Sequence, residues 1–135
     1  MTQRLVLSAR HVDELKKIAA DSLPLESCAL LAGKISSNDV VVSEVIVAKN
    51  ADRSQVSFSI DPSEMLEAYK KAESLGLEIV AIFHSHPAPA RPSSTDVKYM
   101  EINPIPWLIL STTDKELGAF VYDNDIRKLD LIVSK

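Results

Sequence analysis

Two of the chain's three histidines, His84 and His86, are separated by one residue at the end of an apolar run, Ile79 to Phe83. Strand side chains alternate with period two, so on a strand both imidazoles project from one face and can meet one metal ion. Asp96 follows ten residues after His86, beyond the proline-rich loop Pro87 to Pro92. A carboxylate there can supply a third protein ligand to zinc and leave the fourth tetrahedral position to water, which is the arrangement of a catalytic site. A structural zinc site closes with four protein ligands, usually several thiolates, and this chain has one cysteine, Cys28. Ser93 and Asp96 also have the spacing of a helix N-cap and its N3 residue, so the carboxylate has a second reading as a cap, and the two roles can coexist.

The elements that must hold these residues can be read from periodicity and punctuation. Leu5 to Leu7 reads as a short strand, and Ser8 caps a helix whose Val12, Leu15, Ile18 and Ala19 recur at helical spacing, with Pro24 ending that region. Ser27 to Lys34 is small and apolar and reads as a buried strand. Val40 to Ala48 is β-branched, and beyond the turn residues Asn50 to Ser54 the alternating run Val56 to Ile60 suggests a second, antiparallel strand. Asp61-Pro62 starts a helix with Met65, Leu66, Tyr69 and Ala72 as its expected buried stripe and Gly76 as its stop. Glu78 to Phe83 forms a strand that runs into the histidines, Ser93 to Asp96 opens another helix to about Glu101, and three strands close the chain: Trp107–Ser111, Leu117–Asp123 and Ile126–Val133. Asn124 falls in the last tight turn. This order matches no βαβαβ alternation and implies a mixed α+β sheet with helices packed on it.

Composition narrows the function classes. A length of 135 residues suits a single domain covering 1–135, and 46% hydrophobic with 25% charged residues is the balance of a globular protein. The net charge is -4 with no basic block, against nucleic acid as the main partner. A lone cysteine and an N-terminus without a signal-peptide core point to a reducing, cytoplasmic setting. The apolar runs fall short of the ~20 residues that cross a bilayer, so no membrane role is expected. The three glycines are too far apart for a Walker loop or a dinucleotide fingerprint. Cys28, on an apolar strand, reads as core; Trp107 and Tyr69 read as packing residues and His11 as a surface helix residue.

The stretches His84-Ser85-His86-Pro87 and Pro92-Ser93-Ser94-Thr95-Asp96, with the upstream Leu25-Glu26-Ser27-Cys28-Ala29-Leu30-Leu31-Ala32-Gly33, resemble the JAMM motif of the MPN-domain metalloproteases. The likeness spans nearly the whole chain, including the run from Phe58 to Asp61 into the central helix and Pro106-Trp107 leading a late strand. Six residues separate His86 from Ser93 where the family usually has seven. Ser94 would restore that spacing but break the next, and Ser93 is preferred because a helix start is rigid while a proline loop can absorb a deletion. Ala29 stands where a glycine is common in the family.

The resemblance implies the MPN/JAB, cytidine deaminase-like architecture, a mixed, curved β-sheet flanked by helices. It also implies a zinc isopeptidase. His84, His86 and Asp96 would hold one Zn²⁺, Glu26 would serve as general base and then acid, and Ser93 would donate to the oxyanion. The expected partner is a ubiquitin-like modifier cut after its C-terminal Gly-Gly, or a sulfur-carrier protein, whose extended tail adds to a sheet edge. Asn50 to Ser59 is the candidate edge. The short link between the helix after Asp96 and the strand at Trp107 leaves no room for the long second insertion some members use to grip the modified lysine, so linkage selectivity should be weak. A metal-free MPN scaffold is the non-enzymatic alternative, disfavoured by the intact set Glu26, His84, His86 and Asp96.

Overall fold

The computed structural model describes residues 4–52 and 59–135. In chain order the elements are β1 (Arg4–Ser8), α1 (Ala9–Ser22), β2 (Cys28–Ser36), β3 (Asp39–Ala48), α2 (Pro62–Ser74), β4 (Glu78–His86), α3 (Ser94–Ile102), β5 (Trp107–Ser111), β6 (Leu117–Tyr122) and β7 (Ile126–Ser134). The mixed α+β architecture expected from the pattern is present. Its sheet curls until the first and last strands meet, giving a closed order β1-β3-β2-β4-β5-β6-β7. β1 pairs in parallel with both β3 and β7, and β4 pairs in parallel with β5 through the α3 crossover, while the remaining pairs are antiparallel. Among the described residues no helix is long and apolar enough to cross a membrane.

Both faces of the central strands are covered, so β2 and β4 read as nearly continuous apolar runs rather than alternations. One apolar cluster joins Val12, Leu15 and Ala19 of α1 to Ala29 and Leu31 of β2 and Phe83 of β4. The other joins Ala68 and Ala72 of α2 and Met100 of α3 to Cys28 and Leu30, Ile82, Trp107 and Ile109. The register between β2 and β4 steps from Leu31↔Ala81 to Ala32↔Ile79, which leaves Val80 as the extra residue of a β-bulge. Val80 and Ala81 accordingly both belong to the α1 side. From Ile82 onward the alternation is regular, and His84 and His86 share the face occupied by Ile82, toward α2 and α3.

Local signals set the helix boundaries. Ser8 caps α1 by accepting from the His11 N–H at 3.2 Å. Asp61 caps α2 by accepting from the Ser63 N–H at 2.9 Å, with Pro62 in the first turn, and Gly76 ends it at φ 70°. Two expectations need correcting, and a third cannot be compared. Leu66 and Tyr69 of α2 are about half exposed, at 55% and 51%, because the helix presents the small Ala68 and Ala72 to the sheet at close range. His11 is buried, its Nδ1 lying 3.0 Å from the Ser8 hydroxyl that caps its own helix. The strand expected at Val56 to Ile60 lies largely outside the described residues, and Ser59 and Ile60 belong to no strand. The antiparallel partner of β3 among the described residues is β2.

Gly33 sits where the β2–β3 register shifts, and a Cβ there would land on the Val41 carbonyl oxygen. Gly33→Ala should therefore force backbone to move and destabilise the fold by about 1–3 kcal/mol. Urea titration followed by circular dichroism measures this, and an unchanged midpoint would show that the two strands have slack.

Candidate metal centre

The end of β4 carries the paired imidazoles. His84 is fully buried and its ring meets Trp107 edge to face, with centroids 5.9 Å apart. Trp107 therefore walls the candidate centre as well as packing the core, a duty its sequence position does not announce. The backbone of His86 is held by β5, whose following residue Thr112 donates its N–H to the His86 carbonyl at 2.9 Å. The His86 ring is held by its own loop, Nε2 lying 2.8 Å from the Pro89 carbonyl oxygen. A carbonyl only accepts, so in this arrangement Nε2 carries the proton and Nδ1 keeps the lone pair a cation needs.

Asp96 arrives on the first turn of α3. Ser93 accepts from the Asp96 N–H at 3.1 Å and Asp96 Oδ2 accepts from the Ser93 N–H at 2.9 Å, which is a complete capping box. The same carboxylate oxygen lies 3.3 Å from His84 Nε2. A hydroxyl has two acceptor sites and one hydrogen, so accepting the cap bond leaves the Ser93 proton available to another acceptor. Ser94 is the first residue of α3, one step past the cap. The ligand atoms that His84, His86 and Asp96 offer all lie within 4.8 Å of one another, and the three residues are 0, 5 and 5% exposed.

Glu26, which the resemblance implies as the general base, is 4% exposed and places Oε1 3.5 Å from His84 Nδ1. It stands outside the three-residue group, across the imidazole from Asp96. Glu26 also lines a cleft of about 660 Å³, bordered by Leu25, Ser27, Val47, Asn50 and Glu64. Cys28 is buried and its thiol is pushed up to about 12 by burial and by the Glu64 and Glu26 charges, which keeps it protonated and inert.

Residues 8–123 match the family described as prokaryotic homologs of the JAB domain. The chain belongs to that family. It is 37% identical over 132 residues to a desampylase of Pyrococcus furiosus, covering 96% of this chain and 90% of the relative. It is 33% identical over 111 residues to a CysO-cysteine peptidase of Mycobacterium tuberculosis, covering 82% and 75%. In three dimensions it is similar to protein DSY2949 of Desulfitobacterium hafniense, with a TM-score of 0.88 at 31% identity over 97% of this chain and 93% of that one. A protein from Salinibacter ruber has a TM-score of 0.74 at 25% identity, covering 100% and 92%.

Two imidazoles and a carboxylate, buried together with their ligand atoms within 4.8 Å of one another, are a donor set that fits a divalent metal. Without one, His84 sits between two carboxylates. Burial alone would drive its proton off, but the hydrogen-bonding contacts and charges of Asp96 and Glu26 outweigh that and raise its pKa. The Asp96 carboxyl moves the other way: burial raises it, but His84 and the Ser93 hydrogen bonds lower it further. Residues given no role in the motif reading are Ser27, Ser85 and Asn50, which hold backbone rather than ligand; Ser27 and Ser85 adjoin Glu26 and the histidines in sequence, whereas Asn50, 24 residues from Glu26, carries no such signal.

A metal ion must displace the His84 proton, since a ligating imidazole is neutral. With its pKa raised, the ring is protonated below that value and free to ligate above it, so divalent-metal affinity should fall as pH drops through it, with proton release on binding. Competition titrations with a chromogenic chelator at several pH values test this, and a pH-independent affinity would contradict it.

Proposed function

We propose that this JAB-family protein is a zinc-dependent isopeptidase that hydrolyses the bond after the C-terminal Gly-Gly of a ubiquitin-like modifier. The observation that carries the reading is the buried group His84, His86 and Asp96 with Glu26 facing it, in a chain 37% identical to a desampylase. Zinc suits two nitrogens and one oxygen in a site that leaves a position open. When bound there, the ion polarises a carbonyl and lowers the pKa of water toward ~7.

The chain's own residues would do the rest. Glu26, in reach of the cleft and of His84, takes the proton of the attacking water and passes it to the departing amine. Its contact with His84 Nδ1 favours one added duty, holding that ring's tautomer and orientation. Ser93 keeps its oxygen on the α3 cap while its hydrogen donates to the carbonyl oxygen as negative charge develops. The modifier's tail would enter beside Asn50, which borders the cleft, with backbone hydrogen bonds that suit glycine; the rest of the expected edge, 53–58, lies outside the described residues. The 33% identity to a CysO-cysteine peptidase favours a second reading of the same machinery, trimming the C-terminus of a sulfur-carrier protein.

Glu26→Gln should keep the metal and lose roughly 10²–10⁴-fold in hydrolysis. His84→Ala and Asp96→Ala should lose both metal and hydrolysis while retaining the fold, because neither residue belongs to the apolar clusters. Mass spectrometry of products from lysine-linked modifiers and from sulfur carriers bearing a C-terminal amino acid, alongside elemental analysis, checks these outcomes. Hydrolysis by His84→Ala at the parent rate would refute the metal mechanism, and the substrate cleaved selects between the two readings.

A further inference from the structure

The segment that carries Glu26 lies beyond the end of every backbone ladder. β2 begins at Cys28, which pairs with His84 of β4 on one side and Ala48 of β3 on the other. Continuing those two registers past Cys28 sets Ser27 opposite Ser85 and Glu26 opposite Asn50. At Ser27 one backbone bond of the pair remains and a side chain takes the place of the other, and at Glu26 a side chain supplies the bond. The fully buried Ser85 accepts the Ser27 N–H on its hydroxyl at 3.1 Å, the two hydroxyls lie 2.6 Å apart, and the Ser85 N–H donates to the Ser27 carbonyl at 3.0 Å. On the other side Asn50 Nδ2 donates to the Glu26 carbonyl at 3.1 Å. The amide oxygen of Asn50 accepts from the Asp52 N–H at 3.0 Å and the Ser59 N–H at 3.2 Å, so one side chain ties Asp52 and Ser59 to the Glu26 backbone.

We propose that Asn50 and Ser85 are positioning residues for Glu26, clamping the backbone on either side of it so that its carboxylate stays against His84. Period two points the Ser85 side chain away from the face that His84 and His86 share, so it cannot join the ligands. Its hydroxyl instead satisfies a buried N–H that would otherwise lack an acceptor. Asn50 serves because a single amide is donor and acceptor at once. A base must sit within hydrogen-bond reach of its proton, and a displacement of about 1 Å can cost ~10² in rate.

The inference rests on Glu26 being the proton carrier, and the test separates the two. In the zinc-loaded enzyme, Ser85→Ala and Asn50→Ala should each lower kcat roughly tenfold to a hundredfold with KM within about twofold, metal content unchanged, and Ser85→Thr restoring most of the rate. In the metal-free protein, NMR amide exchange should accelerate at Ser27 in Ser85→Ala, and at Asp52 and Ser59 in Asn50→Ala. Asn50→Asp keeps the acceptor and loses the donor, so it should leave Asp52 and Ser59 protected yet still slow turnover. Parent-like kcat in Ser85→Ala and Asn50→Ala, or loss that Ser85→Thr fails to restore, overturns the clamp. Full activity in Glu26→Gln would instead overturn the assignment of the base, whatever the exchange data show.

Discussion

The antiparallel pairing of β2 with β4, in the register Cys28↔His84, is the constraint on which the centre depends. It brings a carboxylate near the start of the chain beside an imidazole 58 residues later, as the Ser27–Ser85 contacts record. Sheet registers come in steps of one residue, and each step reverses the face of every side chain. A slip here would turn both histidines toward the α1 side. The register is held by the apolar residues on both faces of these strands, so the same packing that stabilises the fold also aims the ligands.

Burying two imidazoles and two carboxylates together is costly unless each group is matched. The structure matches them in pairs. Asp96 is anchored by the α3 cap before it meets His84, and the His86 ring is oriented by the Pro89 carbonyl. His84 alone faces carboxylates on both nitrogens, and the local field that raises its pKa would equally favour a cation at the centre. Positive charge, as a proton or a metal, is what the site is built to hold.

The loop between the histidines and α3 has one residue fewer than the family motif usually has, and the structure shows how it fits. Ala90 packs so closely on β6 that a Cβ on Gly118 would stand 2.5 Å from the Ala90 carbonyl oxygen. Pro89 turns its carbonyl onto His86. The slack is taken up in the proline loop, and the capping geometry of Ser93 and Asp96 is intact. Glycine at 118 is thus tied to the site through a backbone contact that no motif contains.

From residue order alone one could read nine of the elements' approximate bounds, the capping serines and aspartates, and the common face of His84 and His86, because these depend on periods and caps spanning a few residues. The tenth, β1, was legible only as its three central residues. What only the tertiary structure decided was long-range: closure of β1 on β7, the burial of Glu26 and His11, the exposure of Leu66 and Tyr69, and the approach of Trp107, Ser85 and Asn50 to the centre. Each follows from which strands pair and in what register. That choice minimises free energy over the whole sheet at once, and no local window of sequence contains it.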